Sequence, residues 1–249
     1  MTPRERQLAA IRHQVPDRIP TDAIHIENQP EIARLLQIAP EAVPDALGLD
    51  GRIVSAPYTG ERPPSPDGSP LTEWGTPDTG DYGTARHNPL AQAESIREVQ
   101  AYSWPDARAY DYAAAGRAAQ ALGSRYAVRG PYWKPLFCTV CDLFGMEEAM
   151  VRLRVEPALF EAALERVYEH TKAFCEALLV ACGEAMPILC LGDDFATQRG
   201  MMIAPEHWRR WLKPRYAELF ALGKRLGKAV WFHSCGDITA VLPDLIDIG

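Results

Sequence analysis

Ala229-Val230-Trp231-Phe232-His233-Ser234-Cys235-Gly236 decides how this chain is read. An apolar, aromatic and β-branched run ends at the turn-forming pair Gly236-Asp237, which predicts a short buried strand. Side chains two apart on a strand share a face, so His233 and Cys235 point one way while Phe232 and Ser234 point the other. An imidazole and a thiolate converging from one strand end suit zinc, and a catalytic zinc site takes about three protein ligands with one position open. Either residue alone would read as core packing. Their spacing, the strand end and the turn behind them make the pair a predicted half of a metal site, with the third ligand still to be found.

Towards the N-terminus the same alternation recurs. Pro205 to Leu226 places Trp208, Trp211, Leu212, Leu219 and Leu226 at helical spacing, with a kink expected at Pro214. Ile188-Leu189-Cys190-Leu191-Gly192-Asp193-Asp194 is a short apolar run ending in carboxylates, and it predicts a strand. Before it, Pro157 to Cys182 reads as a long helix, Asp142 to Leu153 as a shorter one, and Arg125 to Pro131 as a strand. Arg52 to Ala56 and Thr21 to Ile26 bring the predicted strands to about five. Thr2, Pro3 and Glu5 form a capping box that opens an N-terminal amphipathic helix, with Leu8 and Ile11 behind it.

Strands alternating with helices, and chemical side chains at strand C-termini, predict an α/β chain of the (β/α)8 TIM-type barrel class. About five strands fall short of the eight that close such a barrel, so the expectation is a single, C-terminally incomplete barrel domain over residues 1–249. No G-x-G-x-x-G or Walker-type loop follows a strand, which argues against a nucleotide fold. Residues 58–89 are dense in Gly, Pro, Asp and Thr and read as a long loop, with a β-hairpin near Leu71 to Thr76. A loop of that length is an active-site lid or a surface decoration.

Asp193 and Asp194 are the candidate catalytic carboxylates, and strand alternation sends them to opposite faces. Asp194 shares parity with Cys190 and is the one expected to orient a substrate or a ligand histidine; capping of nearby backbone is the structural alternative. Adjacent carboxylates facing apart do not make a glycosidase pair. Candidate substrate-binding residues are Arg199, which offers a bidentate clamp for a carboxylate or phosphate, and His25 and Tyr132, each near a predicted strand end. Cys138 and Cys141 have C-x-x-C spacing with no second pair beside them, so ordinary packing is expected.

A net charge of −7 with dispersed Lys and Arg leaves no basic footprint, and no nucleic-acid partner is expected. The charged N-terminus and the lack of a run of about 18 apolar residues predict a cytoplasmic chain with no membrane partner. Six cysteines are too sparse for a secreted disulfide scaffold and are expected as free thiols.

Asp17-Arg18-Ile19-Pro20, Glu73-Trp74-Gly75, Trp104-Pro105-Asp106, Asp193-Asp194 with Thr197-Gln198-Arg199-Gly200, Pro205-Glu206 with Trp208, Lys213-Pro214, and His233-Ser234-Cys235-Gly236 together resemble the uroporphyrinogen decarboxylase superfamily. The resemblance runs along essentially the whole chain. It is closer to the branch of corrinoid-dependent methyltransferases than to the decarboxylase proper. It implies a barrel in which His-x-Cys and a later Cys hold zinc, which activates a thiol to accept a methyl group from methylcobalamin. Two of those ligands map onto His233 and Cys235; the third would lie beyond residue 249, and Cys190 is the strand cysteine that could replace it. The implied partners are a corrinoid protein or a small thiol substrate. One alternative is uroporphyrinogen III decarboxylase, a metal-free lyase of porphyrin biosynthesis that binds a tetrapyrrole through an arginine-rich N-terminal motif; Arg18 and Arg52 do not reproduce its spacing. The other is a barrel fragment that is inactive by itself.

Overall fold

Short apolar runs bounded by Gly or Asp settle as strands, and longer runs of helical period pack over them. The computed structural model of the chain describes residues 1–65, 68–77 and 87–249, with Pro131 and Tyr132 as backbone only. Helices α1 (Pro3–Ile11), α2 (Gln29–Leu36) and α3 (Val43–Ala46) precede β1 (Gly51–Ile53). Next come α4 (Ile96–Ala101), α5 (Tyr112–Gly123), β2 (Ala127–Trp133), α6 (Phe137–Phe144), α7 (Met146–Val155) and α8 (Pro157–Cys182). The chain then forms β3 (Ile188–Gly192), the small β4 (Ala196–Thr197) and β5 (Gly200–Met201), α9 (Pro205–Trp211), α10 (Lys213–Arg225), β6 (Ala229–His233) and α11 (Leu242–Asp247).

Among the described residues the main sheet has four strands, all parallel, in the order β1-β2-β3-β6. Parallel neighbours need long crossovers, and the helices between the strands supply them. Helix α8 packs on β2 and α10 on β6, so one core runs from Val54 through β3 to Leu245. Strand β3 is buried along its whole length, whereas β6 is half-buried.

Thr21 to Ile26, expected as a first strand, forms none, and the parallel sheet has four strands where about five were expected. Side chains meet this segment's backbone instead of a ladder: the Thr21 N–H donates to Asp50 at 2.8 Å, and Arg129 Nη2 donates to the Ala23 carbonyl at 2.6 Å. Asp22 pairs with the buried Arg129, so the segment has its polar partners without strand pairing.

The expected helix from Asp142 to Leu153 is part of two helices, α6 and α7, broken at Gly145 with φ +93°. The stretch from Pro205 to Leu226 likewise divides at Leu212. Pro214 then sits in the first turn of α10, where its missing N–H costs nothing. Helix α1 has the predicted capping box, but its buried face is polar: Arg6 and Gln7 are buried and Ile11 is exposed. Arg6 reaches Asp17 at 2.6 Å and Asp50 at 2.5 Å, and Gln7 donates to Asp22 at 2.6 Å. All six cysteines are free, and only Cys235 is exposed. Among the described residues no helix is long and apolar enough to cross a membrane.

Within the expected loop at 58–89, residues 66–67 and 78–86 lie outside the described residues. Between them Leu71 bridges Pro77, and the Thr72 N–H donates to the Thr76 carbonyl at 2.8 Å. Trp74 anchors this turn. It is buried, its carbonyl accepts from the Tyr102 hydroxyl at 2.7 Å, and its ring meets the His170 ring of α8 edge-on at a centroid distance of 4.6 Å.

Burial pushes the His170 imidazole down to about 4, so it is neutral at neutral pH. The unfolded chain binds this proton near pH 6.5 and the folded chain only near pH 4. The contribution to stability is therefore whole above about pH 6.5 and lost as pH falls towards about 4. In urea titrations the drop in stability from about pH 7 to about pH 5 is expected to be smaller in His170→Phe than in the wild type by about 2 kcal/mol.

Candidate metal centre

Strands β3 and β6 are parallel neighbours with Gly192 beside His233. Two residues further on, Asp194 and Cys235 also come side by side, and alternation turns them to the face that carries His233. Asp194 Oδ1 accepts the Cys235 N–H at 2.6 Å and stands 3.6 Å from His233 Nε2, which is 3.4 Å from Cys235 Sγ. One donor atom from each of the three residues lies within 4.8 Å of the others. Asp194 and His233 are half-buried and Cys235 is exposed.

These residues fit zinc. Bonds of about 2.0–2.1 Å to nitrogen or oxygen and about 2.3 Å to sulfur place tetrahedral ligand atoms roughly 3.5 Å apart. The separations of 3.4 and 3.6 Å match that spacing before any rearrangement. A carboxylate and a thiolate would also balance a dication, and the exposed side of the cluster can take a further ligand. Burial and the Asp194 carboxylate push the Cys235 thiol above its ordinary range, so it holds its proton until a cation takes its place. Asp194 thus stands where a third donor was sought. Cys190 does not: it is buried further back in β3 opposite Trp231, and burial pushes its thiol up to about 11.

Two glycines give the site its shape. A Cβ on Gly192 would come within 2.2 Å of the Trp133 ring; without one, the indole lies across β3 and meets the His233 ring at a centroid distance of 5.1 Å. Trp133, Gly192 and His233 form one cross-strand row. Gly236 has φ +82°, and a Cβ there would come within 2.5 Å of the Ala196 carbonyl carbon. The β4–β5 ladder therefore closes directly on the turn after Cys235, with the Asp237 N–H donating to the Thr197 carbonyl at 2.8 Å.

Asp193 faces away from the cluster and is buried. Its carboxylate accepts the N–H groups of Leu136, Phe137 and Cys138 at 3.2, 2.7 and 2.8 Å, together with the Tyr216 hydroxyl from α10. It caps the start of α6 from the end of β3. Burial pushes its carboxyl up, while the donors around it favour the anion. Cys138 also bonds through sulfur to Asp194: Sγ accepts the Asp194 N–H and donates to the Asp194 carbonyl, both at 3.3 Å. Burial and the Asp193 carboxylate raise the Cys138 thiol far above its ordinary range.

His25 is exposed on the segment that forms no strand, and Arg199 is exposed at the tip of the β4–β5 turn; neither joins the cluster. Tyr132 lies in β2 opposite Leu191, and its side chain is outside the described residues. Sequence reasoning missed the Trp133–Gly192–His233 row and the thiol contact of Cys138. Strand parity marks the glycine of the row, but the neighbour of a helix cysteine has no sequence signal.

A parallel α/β sheet with converging donors at its strand C-termini defines the class of this protein. The family described as uroporphyrinogen decarboxylase (URO-D) matches residues 79–249, and the chain belongs to that family. No curated protein matches. Among solved structures, a methyltransferase from Methanosarcina mazei is similar with a TM-score of 0.67 and 18% identity, over 100% of this chain and 74% of that one. That likeness is one of fold.

The buried carboxylate of Asp193 gives a direct test of the scaffold. Asp193→Asn replaces an anionic acceptor with an amide whose NH2 opposes the donors around it, and the expected loss is about 3 kcal/mol of unfolding free energy in urea. Asp194→Asn, at a half-exposed position, is expected to cost less than about 1 kcal/mol.

Proposed function

We propose that this chain binds zinc through Asp194, His233 and Cys235 and, in the intact protein, transfers a methyl group from a methylated corrinoid to a thiol. The observation that carries the reading is the convergence of these three donors within 4.8 Å at the ends of β3 and β6. Family membership and the fold shared with a methyltransferase support it. In such a transfer the methyl carbon moves to sulfur and the bonding electron pair stays with the corrinoid, so the accepting thiol must first lose its proton. A zinc ion at the site supplies Lewis acidity that lowers the pKa of a coordinating thiol.

The chain's own residues supply the rest. His233 offers Nε2, its ring steadied by the Trp133 indole, and Cys235 reaches furthest into solvent. Asp194 holds the Cys235 backbone through the bond from its N–H, which fixes the turn that carries the thiol. The decarboxylase reading needs arginines ready for the carboxylates of a tetrapyrrole. Arg6, Arg18 and Arg129, the arginines around the N-terminal segment, are already paired with Asp17, Asp50 and Asp22.

Metal analysis decides the matter. The purified chain, supplied with zinc, is expected to hold about one ion, and His233→Ala and Cys235→Ala to lose it. Chelation is expected to stop methyl transfer from methylcobalamin to a small thiol. Zinc-free protein that binds a tetrapyrrole would overturn the proposal in favour of decarboxylation; protein that binds neither would overturn it in favour of an inactive barrel.

A further inference from the structure

We infer that Cys138, a helix residue outside the donor set, is a positioning residue that fixes Asp194 for its place in the cluster. The inference rests on the metal reading above and extends it to how the oxygen donor is held. The β3–β6 ladder makes its last step at the Asp193 N–H, which donates to the His233 carbonyl at 3.0 Å. One residue further on, the chain has left the sheet. There Cys138 Sγ bonds to both the N–H and the carbonyl of Asp194 at 3.3 Å. The Cys138 backbone N–H meanwhile donates to Asp193 Oδ1 at 2.8 Å. One residue in the first turn of α6 therefore grips two successive residues of the strand end, one through its backbone and one through its side chain.

The chemistry of the thiol suits this task. Buried beside the Asp193 carboxylate, Cys138 keeps its proton, and a neutral S–H can donate and accept at once. A thiolate could only accept. Sulfur hydrogen bonds are individually weak, so the contribution to overall stability is small. Their effect is on direction: with its peptide groups held, Asp194 has its carboxylate 2.6 Å from the Cys235 N–H and 3.6 Å from His233 Nε2. Residues that orient ligands in this way typically change metal affinity by about 10–100-fold when removed. The pairing expected from C-x-x-C spacing is thus replaced by a bond from one of the two cysteines to the strand end.

The test is titration of the metal-free full chain with Co2+, which reports affinity and, through its visible absorption, the ligand set. Cys138→Ala is expected to weaken Co2+ binding about 10–100-fold and to alter the spectrum. Cys138→Ser keeps a donor and an acceptor and is expected to recover most of that loss. Cys138→Val fills the volume without the hydrogen bonds and takes the place of Ala should the smaller side chain leave the chain unfolded. Wild-type affinity and spectrum in the Ala or Val variant, even with a lowered melting temperature, would overturn the inference and leave the metal site standing. Unchanged binding in Asp194→Ala would remove Asp194 from the ligand set and the inference with it, leaving a His233–Cys235 site. Absence of Co2+ binding in the wild type would overturn both.

Discussion

A carboxylate buried without a cation is tolerated only when donors surround it, and Asp193 meets that condition at the junction of three elements. Its oxygens take the first N–H groups of α6 and the hydroxyl of Tyr216 on α10, while its own N–H extends the ladder to β6. The unpaired N–H groups at the start of a helix carry partial positive charge, so the anion and the helix start satisfy each other. The end of β3 is thereby fixed against a helix on each side of it in sequence. Everything at the candidate centre hangs from that strand end: Asp194 follows Asp193 directly, and His233 and Cys235 lie on the neighbouring strand.

The second constraint is register. Parallel pairing of β3 with β6 allows the donors on two strands to converge without a shared loop, because equal steps past the row at Gly192 and His233 bring Asp194 to Cys235. The row itself is crowded. An indole, a missing side chain and an imidazole share the width of three strands, and the arrangement is possible only because the central position is glycine. A second glycine, Gly236, does the same for the β4–β5 ladder beyond Cys235. The site is therefore shaped as much by absent side chains as by present ones.

Much of this was legible in the sequence, for identifiable reasons. The long α8 and the strands β3 and β6 followed from periodicity, and the face shared by His233 and Cys235 followed from the two-residue repeat. Parity alone separated Asp194 from Asp193, yet the nearness of Asp194 to the pair required the register between two strands, which no local pattern encodes. Thr21 to Ile26 misled because its composition suits a strand, whereas its polar groups are met by Asp50 and Arg129 from distant parts of the chain. The polar buried face of α1 was hidden for the same reason: Arg6 reads as a surface residue until Asp17 and Asp50 are placed beside it. Cys138 was read against Cys141, its neighbour in sequence, while its hydrogen-bond partner lies 56 residues away.

The state of the Cys235 thiol bears on how the protein ages. Peroxides and other oxidants attack the thiolate, and an exposed cysteine normally presents a small thiolate fraction at neutral pH. Here burial and the adjacent Asp194 hold the proton on sulfur, so the empty centre presents less thiolate than its exposure would suggest. A cation that releases the proton also occupies the sulfur lone pair. The most accessible thiol of the chain is thus guarded in both conditions, by its proton when the centre is empty and by coordination when it is filled.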